Sequence, residues 1–400
     1  MYDVVIVGAG PAGSTCARAC ALSGLKTALI DKSSFPRAKP CAGAVTERAL
    51  SFLDFPIPQE IIESACFEAR IHYGRRTVAV RRKERICILV DREQFDSLLL
   101  AKAIEAGVRF FPNERALDLD IGSRSVKLRT DRATHEAAYV IGTDGVTSVV
   151  ARSVRPQLGK QETAVAIVGR VPSQQEALGE KEHDHGGLLE LYFGTAPQGY
   201  GWVFQRRGYS SVGMMGLASQ FSRVNEALAR FAGNIGMQPA DVRGHVIPLG
   251  GLVRKVHANR VLLAGDAAGF ADPFHGEGIT YAILSGKLAA QAMADVLRGT
   301  GQAEAFTRYA RECEQRIGKN LRVALWMARL LDRYPDLFIR IFFDNPQALD
   351  RYLDISSNKL EYVQFWKWLA LRIPWYLFSS VRKNRAQDNA GQAVPWTKGT

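Results

Sequence analysis

The sequence predicts a mixed α/β fold, α+β overall, in which a parallel sheet is interrupted by an inserted mixed or antiparallel sheet and followed by a helical C-terminal region. Three observations carry that prediction. Residues 2–7 (Tyr-Asp-Val-Val-Ile-Val) form a continuous apolar run that ends in glycines, the pattern of a parallel strand buried on both faces. Residues 161–216 are strand-like and punctuated by glycine, so a second sheet lies between pieces of the first domain. Beyond residue 302 the apolar spacing is helical throughout.

The elements follow in order. Pro11 to Ser23 is rich in Ala and Cys and reads as a helix stopped by Gly24, and Lys26–Ile30 reads as the next strand. Residues 92–106 carry apolar positions at helical spacing, with Gly107 behind them. Short β-type runs from 108 to 141 suggest a meander. Val261-Leu262-Leu263-Ala264 is another buried strand, and a helix follows from about Gly278 to Leu297. We assign 1–57, 86–155 and 245–300 to a discontinuous first domain, and 58–85 with 156–244 to the inserted sheet. Residues 301–385 form the helical region and 386–400 a loose polar tail.

At 400 residues the chain can bury a substantial core, and 47% hydrophobic with 23% charged residues is ordinary for a soluble enzyme. No stretch of about 18 residues is apolar and uncharged, so a spanning helix is not expected. The N-terminus has no basic leader and does not read as a secretory signal. The six cysteines are scattered without a CxxC pair, which fits a reducing, cytoplasmic setting better than zinc or disulfides. His183-Asp184-His185 has metal-like residue types but no further ligands, so no metal is expected. The net charge of +12 attracts anions, yet no nucleic-acid-binding motif accompanies it.

Gly8-Ala9-Gly10-Pro11-Ala12-Gly13 sits between the first strand and the first helix. This is the Rossmann-type fingerprint: Gly8 permits the tight turn, Gly10 lets the backbone approach a pyrophosphate, and Gly13 lets helix and strand pack closely. Free N–H groups at the helix start face the anion. Asp31 ends the second strand, where a carboxylate takes ribose hydroxyls.

Two later segments resemble the motifs of the flavoprotein monooxygenase superfamily, of the p-hydroxybenzoate hydroxylase type. They are Gly142-Thr143-Asp144-Gly145 with Ser148 and Arg152, and Gly265-Asp266-Ala267-Ala268 continuing to Asp272-Pro273 and Gly276-Glu277-Gly278. The resemblance implies FAD, with Asp266 on its ribityl chain and Arg92 and Asp144 at the cofactor. It places the turn Gly276–Ile279, with its helix start, beside the flavin N1–C2 carbonyl. It further implies that Lys32, Ala42, Ala44 and Ala116 line the cofactor.

Phe35-Pro36-Arg37-Ala38-Lys39-Pro40-Cys41-Ala42-Gly43-Ala44 resembles the Pro-Cys-Gly-Gly element of the geranylgeranyl reductase family, where the cysteine lies near the flavin. Tyr200, Trp202 and Phe204 match that family's Tyr-x-Trp-x-Phe signature, and their alternation puts them on one face of a strand. Ala42 replaces the first glycine after the cysteine, and Gln205 replaces the usual proline after the aromatics. The resemblance covers roughly residues 1–300. It implies reduction of carbon–carbon double bonds in a prenyl chain on a lipid or quinone, with Cys41 a candidate catalytic residue and the three aromatics a cavity wall. NADPH or a ferredoxin-like protein is the implied electron donor. His275, in the same loop as the flavin turn, is a candidate for a local role.

Five of the six tryptophans, Trp326, Trp366, Trp368, Trp375 and Trp396, follow residue 325. Aromatics around Phe365–Phe378, followed by Arg382-Lys383-Asn384-Arg385, suit either a membrane surface or a cap over the cavity. Two rival activities share the fold: an aromatic-ring monooxygenase, and an electron-carrying flavoprotein that feeds quinone at the membrane. A flavin-dependent halogenase lacks support because its Trp-x-Trp-x-Ile-Pro element is not present.

Overall fold

The computed structural model describes residues 1–172, 187–373, 375 and 376. His183-Asp184-His185, Phe378, Arg382–Arg385, Trp396 and the tail 386–400 lie outside the described residues.

The chain opens with β1 (Tyr2–Val7), α1 (Pro11–Leu22) and β2 (Thr27–Ile30), the expected β-α-β unit. There follow β3 (Ala44–Thr46), α2 (Glu47–Leu50), β4 (Ile62–Tyr73), β5 (Arg76–Arg81), β6 (Cys87–Val90) and α3 (Arg92–Glu105). Next come β7 (Arg109–Phe111), β8 (Ala116–Ile121), β9 (Val126–Thr130) and β10 (Thr134–Gly142). The second half begins with β11 (Thr163–Pro172), β12 (Gly187–Phe193), β13 (Tyr200–Arg206), β14 (Tyr209–Leu217), α4 (Val224–Asn234) and β15 (Ala240–Pro248). After β16 (His257–Ala258) and β17 (Val261–Leu263), the helices α5 (Ile279–Leu297), α6 (Gln302–Cys313), α7 (Lys319–Arg333), α8 (Pro335–Phe343), α9 (Pro346–Leu353) and α10 (Tyr362–Ala370) complete the fold.

Among the described residues the first sheet runs β16-β17-β10-β1-β2-β7, with β9 and then β8 attached to β10. Strand β1 is flanked in parallel by β10 (Val5 opposite Val140) and β2 (Ile6 opposite Leu29). All four residues from Val4 to Val7 are buried, because α1 and α5 cover one side of the sheet and further apolar residues the other. The loops leaving β1 and β10 therefore diverge over a crevice at the strands' carboxyl ends, the position where such sheets bind ligands.

The second sheet runs β15-β11-β14-β13-β12-β4-β6-β3, with β5 on β4. Its pairs are antiparallel except β12 with β4. Strands β3 and β6 belong to it, although residues 44–46 and 87–90 fall inside the segments expected in the first domain. Cys87–Val90 is buried along its whole length, so it satisfies its backbone by pairing with β4 and β3. That pairing carries the second sheet up to the cofactor crevice. Gly201 and Val203 of β13 face α4, whose Phe231 ring closes on Gly201, while Tyr200, Trp202 and Phe204 face inward.

Helices α7 to α10 share a cluster with Phe274, Ile71 and Val78, which fastens the C-terminal region to the second sheet and to the loop before α5. Among the described residues no helix is long and apolar enough to cross a membrane.

Candidate active site

The glycine loop is held from both neighbouring strands. Gly8 has φ of 99°, and a Cβ there would lie 2.5 Å from the Thr143 carbonyl oxygen. A Cβ on Gly13 would lie 1.8 Å from the Gly8 oxygen, so only glycine lets α1 pack this close. At Gly10, by contrast, a Cβ would meet only an Arg37 nitrogen at 3.5 Å, which leaves that side of the loop open. Asp31 accepts from Ala9 N at 2.7 Å and from Ser33 N at 2.9 Å. The Thr143 hydroxyl donates to the Val7 and Gly8 carbonyls, a role the sequence reading did not give it. Helix α1 has no side-chain cap, so the N–H groups of Ala12 and Gly13 remain available to an anion. Ala116 begins β8 close to Asp31, whose carbonyl accepts from Glu114 N at 2.9 Å. Lys32 is exposed just beyond Asp31. Asp144 accepts from Ser148 and from Val149 N, so its carboxylate folds its own turn.

Cations crowd the floor of the crevice. Arg92 is buried and makes a two-pronged pair with Asp96 at 2.8 and 2.9 Å, and Arg37 reaches the same carboxylate at 3.2 Å. Lys39 Nζ lies 2.8 Å from His245 Nε2. Burial, with Arg92 and Arg37 nearby, brings the Lys39 amine down to about 8 despite the opposing pull of Asp266. Burial and the charges of Lys39, Arg92, Arg37 and Lys32 bring His245 down to about 3, so it is a neutral acceptor. Burial pushes Asp266 upward, against Lys39 and Arg92. This excess of positive charge beside an open helix N-terminus is what a dinucleotide diphosphate neutralises. The residues present fit FAD.

Asp266 also touches the start of α5, its Oδ1 lying 3.6 Å from where a Gly278 Cβ would sit. Helix α5 begins at Ile279 without a side-chain cap, and its free N–H groups suit the electron-rich N1–C2 edge of a flavin. Gly276, at φ 74°, makes the turn before it. His275 is clamped within this loop. Its Nε2 lies 3.1 Å from Glu277 and its Nδ1 lies 3.4 Å from Asp272, 2.7 Å from the Tyr362 hydroxyl and 3.0 Å from that of Tyr352. Burial disfavours the imidazolium, but Asp272 and Glu277 outweigh it and hold the His275 pKa above its usual value. Burial likewise opposes ionised Glu277, yet His275, Thr280 and Thr46 hold that carboxyl below its usual range.

The aromatic triplet faces this loop. Tyr200 and Trp202 are 6.2 Å apart and Trp202 and Phe204 6.4 Å, centre to centre. The Tyr200 hydroxyl donates to the His275 carbonyl. Phe193 packs at 5.5 Å on Tyr200 and 6.3 Å on Phe274. Beyond it lies a crevice of about 380 Å3 bounded by Tyr73, Phe193, Phe274, Ala328 and Leu331. On the other side, a cavity of about 180 Å3 is lined by Lys39, Cys41, Arg92, Tyr209 and Arg243.

Cys41 stands out among the six thiols, since the other five are buried. Gly43 N donates to its sulfur at 3.3 Å, and Arg92 is within hydrogen-bonding reach. Ala42 keeps a negative φ, whereas Gly43 is at 76°; the Ala42 replacement is thus absorbed without strain. The loop is fastened by Arg206, which donates to the Ala42 and Val90 carbonyls and pairs with Glu63. Nothing in the sequence singled out Arg206 or His245, because strand-borne basic residues are ordinarily solvated. Arg206→Met is expected to unfasten Ala42–Ala44 and leave Glu63 unpaired, at about 1–3 kcal/mol. FAD content should survive, while the rate of flavin reoxidation by substrate falls at least tenfold in stopped flow; an unchanged rate removes the positioning role.

The fold and crevice define an FAD-dependent oxidoreductase. A family model described as an FAD binding domain matches residues 1–201 and 249–324. The chain belongs to the geranylgeranyl reductase family of these flavoproteins, and FAD is its cofactor. It is 30% identical over 365 residues to a digeranylgeranylglycerophospholipid reductase of Methanothrix thermoacetophila, covering 87% of this chain and 90% of that one. It is 31% identical over 313 residues to a geranylgeranyl diphosphate reductase of Rhodobacter capsulatus, covering 76% and 78%. In fold it resembles a geranylgeranyl bacteriochlorophyll reductase-like protein of Thermoplasma acidophilum (TM-score 0.77, 23% identity, 94% and 98% covered). A flavin-dependent brominase shares the architecture at TM-score 0.69 and 18% identity, covering 96% of this chain and 99% of that one.

Proposed function

We propose that this chain saturates carbon–carbon double bonds of a polyprenyl chain carried on a lipid or quinone. The observation that carries the reading is the row Tyr200-Trp202-Phe204, buried on one strand face beside the loop before α5 and continued by Phe193 and Phe274, which wall the neighbouring crevice. An isolated trisubstituted alkene has no carbonyl to take negative charge, so positive charge builds on its more substituted carbon. The π faces of Tyr200 and Trp202 stabilise such charge, and their burial keeps water from trapping it. When bound, FAD in its reduced form would supply the hydride. Cys41 supplies the proton to the less substituted carbon in this reading, and Arg92 is placed to stabilise the thiolate left behind. Gly8, Gly10, Ala12, Gly13, Asp31, Arg92 and Asp266 hold the cofactor.

The test is anaerobic incubation of the reduced enzyme with a polyprenyl lipid, followed by mass analysis. A gain of two hydrogens per double bond is expected, and no gain overturns the reading. Cys41→Ser should retain FAD and slow that step about a hundredfold, the scale of a general acid. Supplying NADPH or a reduced ferredoxin-like protein in turn identifies the electron donor.

A further inference from the structure

We propose that the α7–α8 corner and the adjoining face of α10 seat the protein on an anionic lipid bilayer, with the crevice walled by Phe193 and Phe274 opening beside that seat. The inference rests on the prenyl-lipid reading above and adds where the substrate enters.

Trp326, Arg329 and Arg333 recur at helical spacing on one exposed face of α7. Trp326 is 44% exposed and packs edge-on against Trp366 of α10 at 4.2 Å. Lys367 of α10 and Leu371 just past its end are also exposed, Leu371 at 81%. The Arg333 guanidinium covers the ring of Tyr334, and Leu337 and Arg340 continue the exposed strip one turn further along α8. Every exposed aromatic among the described residues lies within 326–375.

The charge on this strip is unbalanced. Among the described residues Arg329, Arg333, Arg340 and Lys367 have no carboxylate within ion-pair distance, whereas most arginines elsewhere do. Two acids share the corner: Asp336 is exposed, and Asp332 accepts from Gln198 N at the crevice edge. Unpaired cations set among exposed tryptophan, tyrosine and leucine match the headgroup layer of an anionic membrane, where amphipathic rings sit beside basic side chains.

The same stretch borders the crevice. Ala328, Leu331, Asp332 and Pro335 point into it, opposite Phe193 and Phe274. One helix end thus offers a charged aromatic face outward and borders, with Ala328, Leu331, Asp332 and Pro335, a crevice whose far wall is Phe193 and Phe274. A lipid tail lifted from the bilayer would meet that crevice beside Phe193 and Phe274.

The test uses full-length holoenzyme sedimented with vesicles of phosphatidylglycerol and phosphatidylcholine, or of phosphatidylcholine alone. Wild type should partition onto the anionic vesicles and release at high salt. Arg329→Gln with Arg333→Gln should lower partition about 25-fold, at about fivefold for each charge lost. Trp326→Ser should weaken it on a separate apolar ground. FAD content and melting temperature of the arginine variant should not move. Equal partition of wild type and variants, or equal binding to neutral vesicles, overturns the proposal. So does a variant whose only defect is slower electron uptake from an acidic donor protein, which would make the face a protein dock. Partition is read without turnover: reduction of a detergent-dispersed polyprenyl chain with no vesicle binding sinks the seat alone, and the converse sinks the function alone.

Discussion

Gly13→Ala is expected to be recovered almost free of FAD and with a melting temperature lowered by several degrees. Its Cβ would sit 1.8 Å from the Gly8 oxygen and 2.6 Å from the Thr143 hydroxyl, so α1 must retreat by more than an ångström. Overpacking of a rigid backbone contact costs about 3 kcal/mol. If the cost falls on the bound state, affinity for FAD drops about a hundredfold. The retreat also reaches α5, because a Cβ on Gly286 would sit 2.5 Å from the Ala12 carbonyl, showing how tightly the two helices pack. Gly233→Ala is the matched control. Its added Cβ meets nothing within 4 Å in helix α4, so it should stabilise by up to about 1 kcal/mol. Flavin absorbance per protein after gel filtration and thermal melts check both, and an FAD-replete Gly13→Ala protein contradicts the packing argument.

His275→Gln is expected to be the next most damaging change and to reveal itself through pH. Loss of the imidazolium leaves Asp272 and Glu277 buried without a cation, at about 3 kcal/mol. The folded pKa of His275 lies above its ordinary value of about 6.5. Its contribution is therefore complete below about pH 6.5 and fades as pH climbs through the raised value. Glu277 works the opposite way: its lowered pKa stabilises above about 4.3 and is lost as pH falls through the lowered value. The stability gap between wild type and variant should be widest near pH 6 and narrow toward pH 9 and toward strong acid. Arg48 faces His275 from α2, and burial raises Tyr352 and Tyr362 above that range. A gap that stays flat from pH 5 to 9 removes the charged-pair account. Under the proposed placement of the Gly276–Ile279 turn at flavin N1, the flavin midpoint potential gives an independent reading, since a cation there favours the anionic reduced form.

Local signals made much of this legible in the sequence. The β-α-β unit, the helix now bounded at Arg92–Glu105 and the one at Ile279–Leu297 were readable because burial imposes its period directly on the residues. The glycine loop, Asp31 and Asp266 come together in the crevice because each follows a strand of the same sheet. What escaped depends on tertiary pairing. The strands β3 and β6 are too short to announce which sheet they join, and their partners are settled by β4. Arg206 and His245 approach Ala42 and Lys39 across more than 160 residues of chain, and no local pattern encodes that. Cys41, Tyr200, Trp202 and Phe204 were visible through family likeness, but the Tyr352–Tyr362 clamp on His275 lies in the stretch where that likeness had faded.

That clamp bears on how this enzyme could be recombined with its relatives. The family model's match ends at residue 324, which invites treating everything after it as an exchangeable module. Yet Tyr352 and Tyr362 reach back from α9 and α10 to a ring whose backbone carbonyl in turn holds Tyr200. A chimera that swaps the terminal helices will inherit the donor's specificity only if it brings both hydroxyls to the same ring. Without them it would exchange the tail and, unintentionally, loosen the His275 loop.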